Sequence, residues 1–108
     1  MDYYDLLLAK GLGGNSGGSG MTIVEMTNAD TNVTLDPNKF YIFPEMSTLS
    51  VTVTATGMYA FRFISGSTPT TLTVTGATMP DSFTVEADKV YEVNIYEGYG
   101  VVSSWTNS

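Results

Sequence analysis

The chain has 108 residues, of which only 14% are charged, and four lysines and arginines leave a formal net charge of −7. So few cations cannot form the cluster that nucleic acid or an anionic membrane surface requires, and we expect neither partner. The lack of cysteine and histidine excludes disulfides, thiolate chemistry, histidine-ligated metals and Ser-His-Asp catalysis. We therefore expect no enzyme, no catalytic residue, no metal site and no cofactor.

The first element along the chain is a short apolar segment, residues 2–10, that is predicted to be helical. Asp2 suits the cap, Lys10 suits the last turn, and Gly11 follows as a stop signal. About nine residues do not form a stable helix alone in water, so the segment should fold only against a surface. That surface is either its own β domain or a partner or sister subunit. We expect the attachment to be carried by five apolar side chains: Tyr3, Tyr4, Leu6, Leu7 and Leu8.

The second element is a glycine-rich linker, residues 11–20. A coil of this length spans about 15–20 Å on average, and about 35 Å when it is fully extended. The acidic start of the chain does not match a signal peptide, and no stretch has the length of a membrane span. We therefore expect synthesis in a cytoplasm and three segments: an anchor peptide at 1–10, a flexible linker at 11–20 and a β domain at 21–108.

From residue 21 onward, apolar and polar residues alternate with period two, which predicts β-strands. The predicted strands are 22–26, 32–35, 40–43, 49–56, 59–64, 71–75, 83–86, 91–97 and 101–105. Turn residues such as Asp36-Pro37-Asn38 and Thr75-Gly76 separate them. Short, closely spaced strands of this kind predict an all-β domain, an antiparallel β-sandwich or jelly-roll-like fold that ends in a hairpin across residues 97–100.

Two of these strands, 49–56 and 71–75, are rich in threonine and carry no charge. An exposed strand edge without lysine or proline invites pairing with another chain. These strands are therefore either central in a sheet or covered by neighbouring subunits, and we favour a homo-oligomer.

Three aromatic residues of the last predicted hairpin, Tyr96, Tyr99 and Trp105, resemble the arrangement in carbohydrate-binding modules. Trp105 is predicted to fill the interior, and it should share a face with Val101 and Ser103. Tyr96 and Tyr99 are the candidate contacts for a surface ligand, and Tyr99, which lies between two glycines, is the better exposed of the two. A small hydrolase that uses two carboxylates is a further alternative.

Both ends of the chain resemble one class of protein. The opening MDYYDLLLAK with its glycine-rich continuation resembles the N-terminus of small virion proteins of tailed bacteriophages, of the head-fibre, capsid-decoration or minor structural type. Segments 63–74, 83–95 and 100–105 resemble the ending of such proteins, while 21–58 is not covered. The resemblance implies a structural, non-catalytic virion protein. It also implies a peptide anchor on the major capsid protein or another virion protein, and a β domain on the virion exterior, often as a trimer.

Similar endings occur in longer tail-associated or fibre proteins, so a tail or baseplate component is one alternative. A carbohydrate-binding module that contacts a host-surface glycan is the other. The acidity of the chain suits an outer surface, because a protein that lines packaged DNA is usually basic.

Overall fold

The structure, a computed structural model, describes residues 21–107, and within that range the chain forms eight β-strands and no helix. The strands are β1 Thr22–Glu25, β2 Asn32–Thr34, β3 Lys39–Glu45, β4 Thr48–Thr52, β5 Met58–Ser65, β6 Thr71–Thr75, β7 Lys89–Tyr96 and β8 Tyr99–Thr106. The predicted anchor peptide and linker lie outside the described residues. Eight of the nine predicted strands are confirmed in position, and the ninth, at 83–86, is wrong.

The eight strands form two sheets, and the chain alternates between them. A five-stranded sheet has the order β1-β3-β5-β7-β8, and a three-stranded sheet has the order β2-β4-β6. All neighbours up to β6 are parallel, whereas β7 and β8 are added antiparallel at one edge. From β1 to β6 the chain therefore winds through three stacked coils, each with one strand in either sheet. This is the winding of a short β-helix, here closed by a hairpin.

The prediction of an antiparallel sandwich or jelly roll is therefore wrong. Period two identifies which residues face the core, but it does not tell in which direction the neighbouring strand runs. Only Met46 and Ser47 separate β3 from β4, a spacing typical of a hairpin, yet these two strands lie in different sheets. Met46 and Ser47 therefore form a corner of a coil and not a hairpin turn.

The corners of successive coils are joined by hydrogen bonds. The backbone N–H of Met46 donates to the carbonyl of Ile64 at 3.0 Å, and that of Thr71 donates to the carbonyl of Ser47 at 2.9 Å. The buried Thr70 hydroxyl also donates to the carbonyl of Met46. These bonds satisfy polar groups that the sharp corners would otherwise leave buried and unpaired.

The hydrophobic core lies between the two sheets. Its centre is Phe61 on β5, whose ring meets that of Phe43 edge to face at 6.4 Å and lies over that of Phe63 at 6.2 Å. The rest of the core comes from both sheets, and its other buried members are Leu35, Tyr41, Met46, Leu49, Val51, Val53, Tyr59, Tyr91, Val93 and Ile95.

The segment between β6 and β7 closes one end of this core. Ala77, Met79, Phe83 and Val85 pack against it without forming a strand. Phe83 and Val85 alternate with polar residues because their side chains point inward from an irregular segment. The same alternation is typical of a strand, so the strand predicted at 83–86 is wrong.

The charge-poor strands occupy different places in the three-stranded sheet. β4 is central in this sheet, which is one of the two alternatives predicted for the charge-poor strands. β6 is an edge strand. Leu49, Val51, Leu72 and Val74 point inward, so the opposite face carries hydroxyl and amide groups from Asn32, Thr34, Thr48, Ser50, Thr52, Thr71, Thr73 and Thr75. Oligomerisation stays a prediction.

The predicted C-terminal hairpin is confirmed, with a tighter turn than expected. β7 and β8 pair from Tyr96 opposite Tyr99 to Lys89 opposite Thr106. The two turn residues, Glu97 and Gly98, have φ values of 50° and 85°. Two successive positive φ angles define the type I′ turn that matches the twist of a hairpin.

Candidate functional site

The outer face of the five-stranded sheet, the side turned away from the core, is the candidate site. Alternation along the strands places an unusual number of apolar side chains there. The strand register aligns Phe40, Ala60, Asn94 and Val101 in one row across β3, β5, β7 and β8. A second row contains Ile42, Arg62, Glu92 and Ser103.

One part of this face is buried. Phe40 is 4% exposed, Ile42 is 8% exposed and Ala60 is 2% exposed. Met21 and Ile23 pack against these three residues, and we call the five together the outer cluster. The sequence contained a signal for it: Phe40 to Phe43 are four apolar residues in a row, a pattern typical of a strand that is buried on both faces.

The other part of the face is exposed. Tyr96 and Tyr99 are 64% and 68% exposed, and Met58 and Val101 are also exposed. Met58 lies opposite Tyr96, which lies opposite Tyr99. We call these four residues the hairpin patch. Contiguous exposed apolar side chains are candidates for contact with another molecule, which makes this patch part of the candidate site.

The structure places Tyr96 and Tyr99 side by side at the hairpin end, and their role as ligand contacts stays a prediction. Met58 and Val101 were not predicted as contact residues from the sequence. Both come into the patch through the pairing of β5, β7 and β8, which no local pattern reveals.

Trp105 shares the outer face with Val101 and Ser103, as predicted, but it does not lie between the sheets. It is half-buried opposite Val90 on β7. Val102 is the residue of β8 that packs against the core. Because side chains alternate along β8, Trp105 faces away from the side that Val102 occupies, and the prediction that it fills the interior is wrong.

An exposed ion pair lies beside a shallow cleft at the other end of the hairpin. Lys89 Nζ is 2.8 Å from Glu86 Oε1. The hydrogen bond and the positive charge of Lys89 lower the pKa of Glu86, and the same pairing raises the pKa of Lys89. The Tyr91 hydroxyl accepts a hydrogen bond from the backbone N–H of Glu86 at 2.7 Å, and this part-buried bond ties the end of the segment between β6 and β7 to β7. Phe83 and Val102 complete the cleft.

Residues 21–107 contain no group of three or more acidic side chains arranged to hold a metal ion. No helix in this range is long and apolar enough to cross a membrane. The five predicted anchor residues Tyr3, Tyr4, Leu6, Leu7 and Leu8 lie outside the described range.

Comparison with known proteins identifies no relative of this chain: no family model matches it, and neither a curated protein nor a solved structure matches it significantly. The hypotheses about function therefore depend on the residues and the geometry given above.

Proposed function

We propose that this protein is a structural component of a tailed-phage virion, either a capsid decoration protein or a head fibre. Residues 2–10 attach it to the major capsid protein or to another virion protein. The β domain, residues 21–108, faces outward, and the protein acts as a homo-oligomer, with a trimer favoured.

The proposal is supported by two features: the exposed hairpin patch on the folded domain, and a sequence in which residues 2–10 are predicted to form an apolar anchor. An apolar peptide joined by a flexible linker is suited to attachment, because it gains its structure from the surface that it binds. The hairpin patch adds a second apolar surface on the folded domain. A net charge of −7 favours an exterior position over contact with packaged DNA.

The attachment is tested with Leu7→Asp in the full chain. Burial of one leucine side chain contributes about 1.5–3 kcal/mol, so we expect at least about a tenfold drop in copies per particle. Quantitative mass spectrometry of purified particles measures the copy number. Leu12→Asp is the matched control, because it places the same charge in the linker, and it should leave incorporation unchanged. Undiminished incorporation of Leu7→Asp contradicts the proposal. If images of the particle show the density of this protein at the tail and not at the head, the tail or baseplate alternative is favoured.

Binding of a host-surface glycan is the second candidate function, and the exposure of Tyr96 and Tyr99 favours it. An aromatic ring offers an apolar face with a polar end, which suits the flat side of a sugar. If a glycan binds, Tyr99→Ala should abolish the signal on a glycan array. Met58→Ala removes an apolar side chain from the same patch but no ring, and it should retain binding. An array without binding, or binding that survives Tyr99→Ala, contradicts this candidate.

A further inference from the structure

The outer cluster lies on the outer face of the five-stranded sheet and is nevertheless buried. The side chains of adjacent strands on that face are not enough to bury it. Phe40, Ile42 and Ala60 point away from the core, and the hydrophobic side chains of residues 21–107 that pack against them are those of Met21 and Ile23. Side chains on one face of a sheet stand beside each other, about 4.5–5.5 Å apart across strands, and leave their tips open to water. An aromatic ring that is only 4% exposed there needs a layer above it.

The position of the cluster indicates which segment supplies that layer. Met21 belongs to the cluster and directly follows the linker. A five-stranded sheet is about 19 Å wide at 4.8 Å per strand. The linker spans about 15–20 Å as a coil, so residues 2–10 can reach the whole outer face. The C-terminal end of the described range is far less suited to cover the outer cluster. The backbone N–H of Asn107 donates a hydrogen bond to the carbonyl of Asp88, beside β8, which is the edge strand opposite β1.

The chemistry of residues 2–10 also fits this face. Tyr3 and Leu7, like Tyr4 and Leu8, are four residues apart and would share one side of a helix.

We propose that residues 2–10 of this chain pack in cis across the outer cluster. Attachment through a short linker gives an effective concentration in the millimolar range, which favours the peptide of the same chain over that of another copy. The inference does not depend on the proposed function. If the packing in cis and the proposed attachment both hold, the apolar side chains of residues 2–10 are buried against the sheet in the free protein. Attachment to the particle then requires them to leave the sheet.

Disulfide trapping in the full chain tests this packing. The chain has no cysteine of its own, so every disulfide comes from an introduced pair. Leu7→Cys and Leu8→Cys are each combined with Ala60→Cys in the cluster, or with Thr73→Cys on the opposite, hydroxyl-bearing side of the domain. We expect at least one of the Ala60 pairs to close about tenfold faster than either Thr73 pair, as a monomeric product. Non-reducing electrophoresis separates the linked forms.

Ala60 is buried, so Ala60→Cys changes a packed site and can disturb folding. The test therefore includes a second, exposed position. Asn94 is exposed and lies opposite Ala60 on the same face, so Asn94→Cys should trap the peptide as well. Equal rates on both faces, absence of a disulfide at both Ala60 and Asn94, or a disulfide-linked dimer overturns the inference. The test uses the isolated protein, so its failure differs from the failure of incorporation into particles.

Discussion

Replacement of Phe61 by alanine is expected to lower the free energy of unfolding by about 3–5 kcal/mol. Phe61 is fully buried at the centre of β5, and its ring contacts those of Phe43 and Phe63. Truncation removes buried apolar surface and leaves a cavity that two paired sheets cannot collapse to fill. Urea denaturation followed by far-UV circular dichroism measures the change in the midpoint.

The matched control is Phe83→Ala, which removes the same ring from the irregular segment at the end of the core. Phe83 is half-buried, and its ring meets that of Tyr91 at 5.6 Å. Its loss should cost clearly less, because an irregular segment can relax. If Phe61→Ala does not fold, Phe61→Leu should still fold and lose less stability, because it removes fewer buried atoms and leaves a smaller cavity. Equal costs for the two alanine variants would contradict this description of the core.

The second large effect is expected for Gly76→Ala, just after β6. A Cβ atom at Gly76 would lie 1.9 Å from the carbonyl oxygen of Val53, and the φ angle there is +92°. The backbone conformation alone costs a non-glycine residue about 1–3 kcal/mol. The clash adds to this, because the neighbour is backbone and cannot rotate away. Thermal unfolding should show a clear drop in melting temperature.

Gly98→Ala separates these two causes. Gly98 has a similar φ of +85°, but nothing lies within 4 Å of its Cβ position. Gly98→Ala should therefore show only the conformational cost. If both variants lose the same stability, the close approach to Val53 contributes nothing and this part of the prediction is wrong.

Much of the local structure could be predicted from the sequence. Alternation placed β5 and β7 to within a few residues, and the glycines around Tyr99 indicated a turn between β7 and β8, although the turn contains Glu97 and Gly98 alone. These signals are local, because side-chain parity and turn geometry depend on only a few neighbouring residues. The continuous apolar run from Phe40 to Phe43 also contained the information that β3 is buried on both sides.

Only the tertiary structure decided which strands pair, in which direction, and which residues form the candidate site. The corner at Met46 and Ser47 could equally have been a hairpin, and Phe83 and Val85 alternate without pairing. Met58 joins Tyr96 and Tyr99 through pairing with a strand about 40 residues away along the chain. The physical reason is that backbone pairing and burial depend on groups distant in sequence, whereas periodicity reports only which side of its own strand a residue occupies.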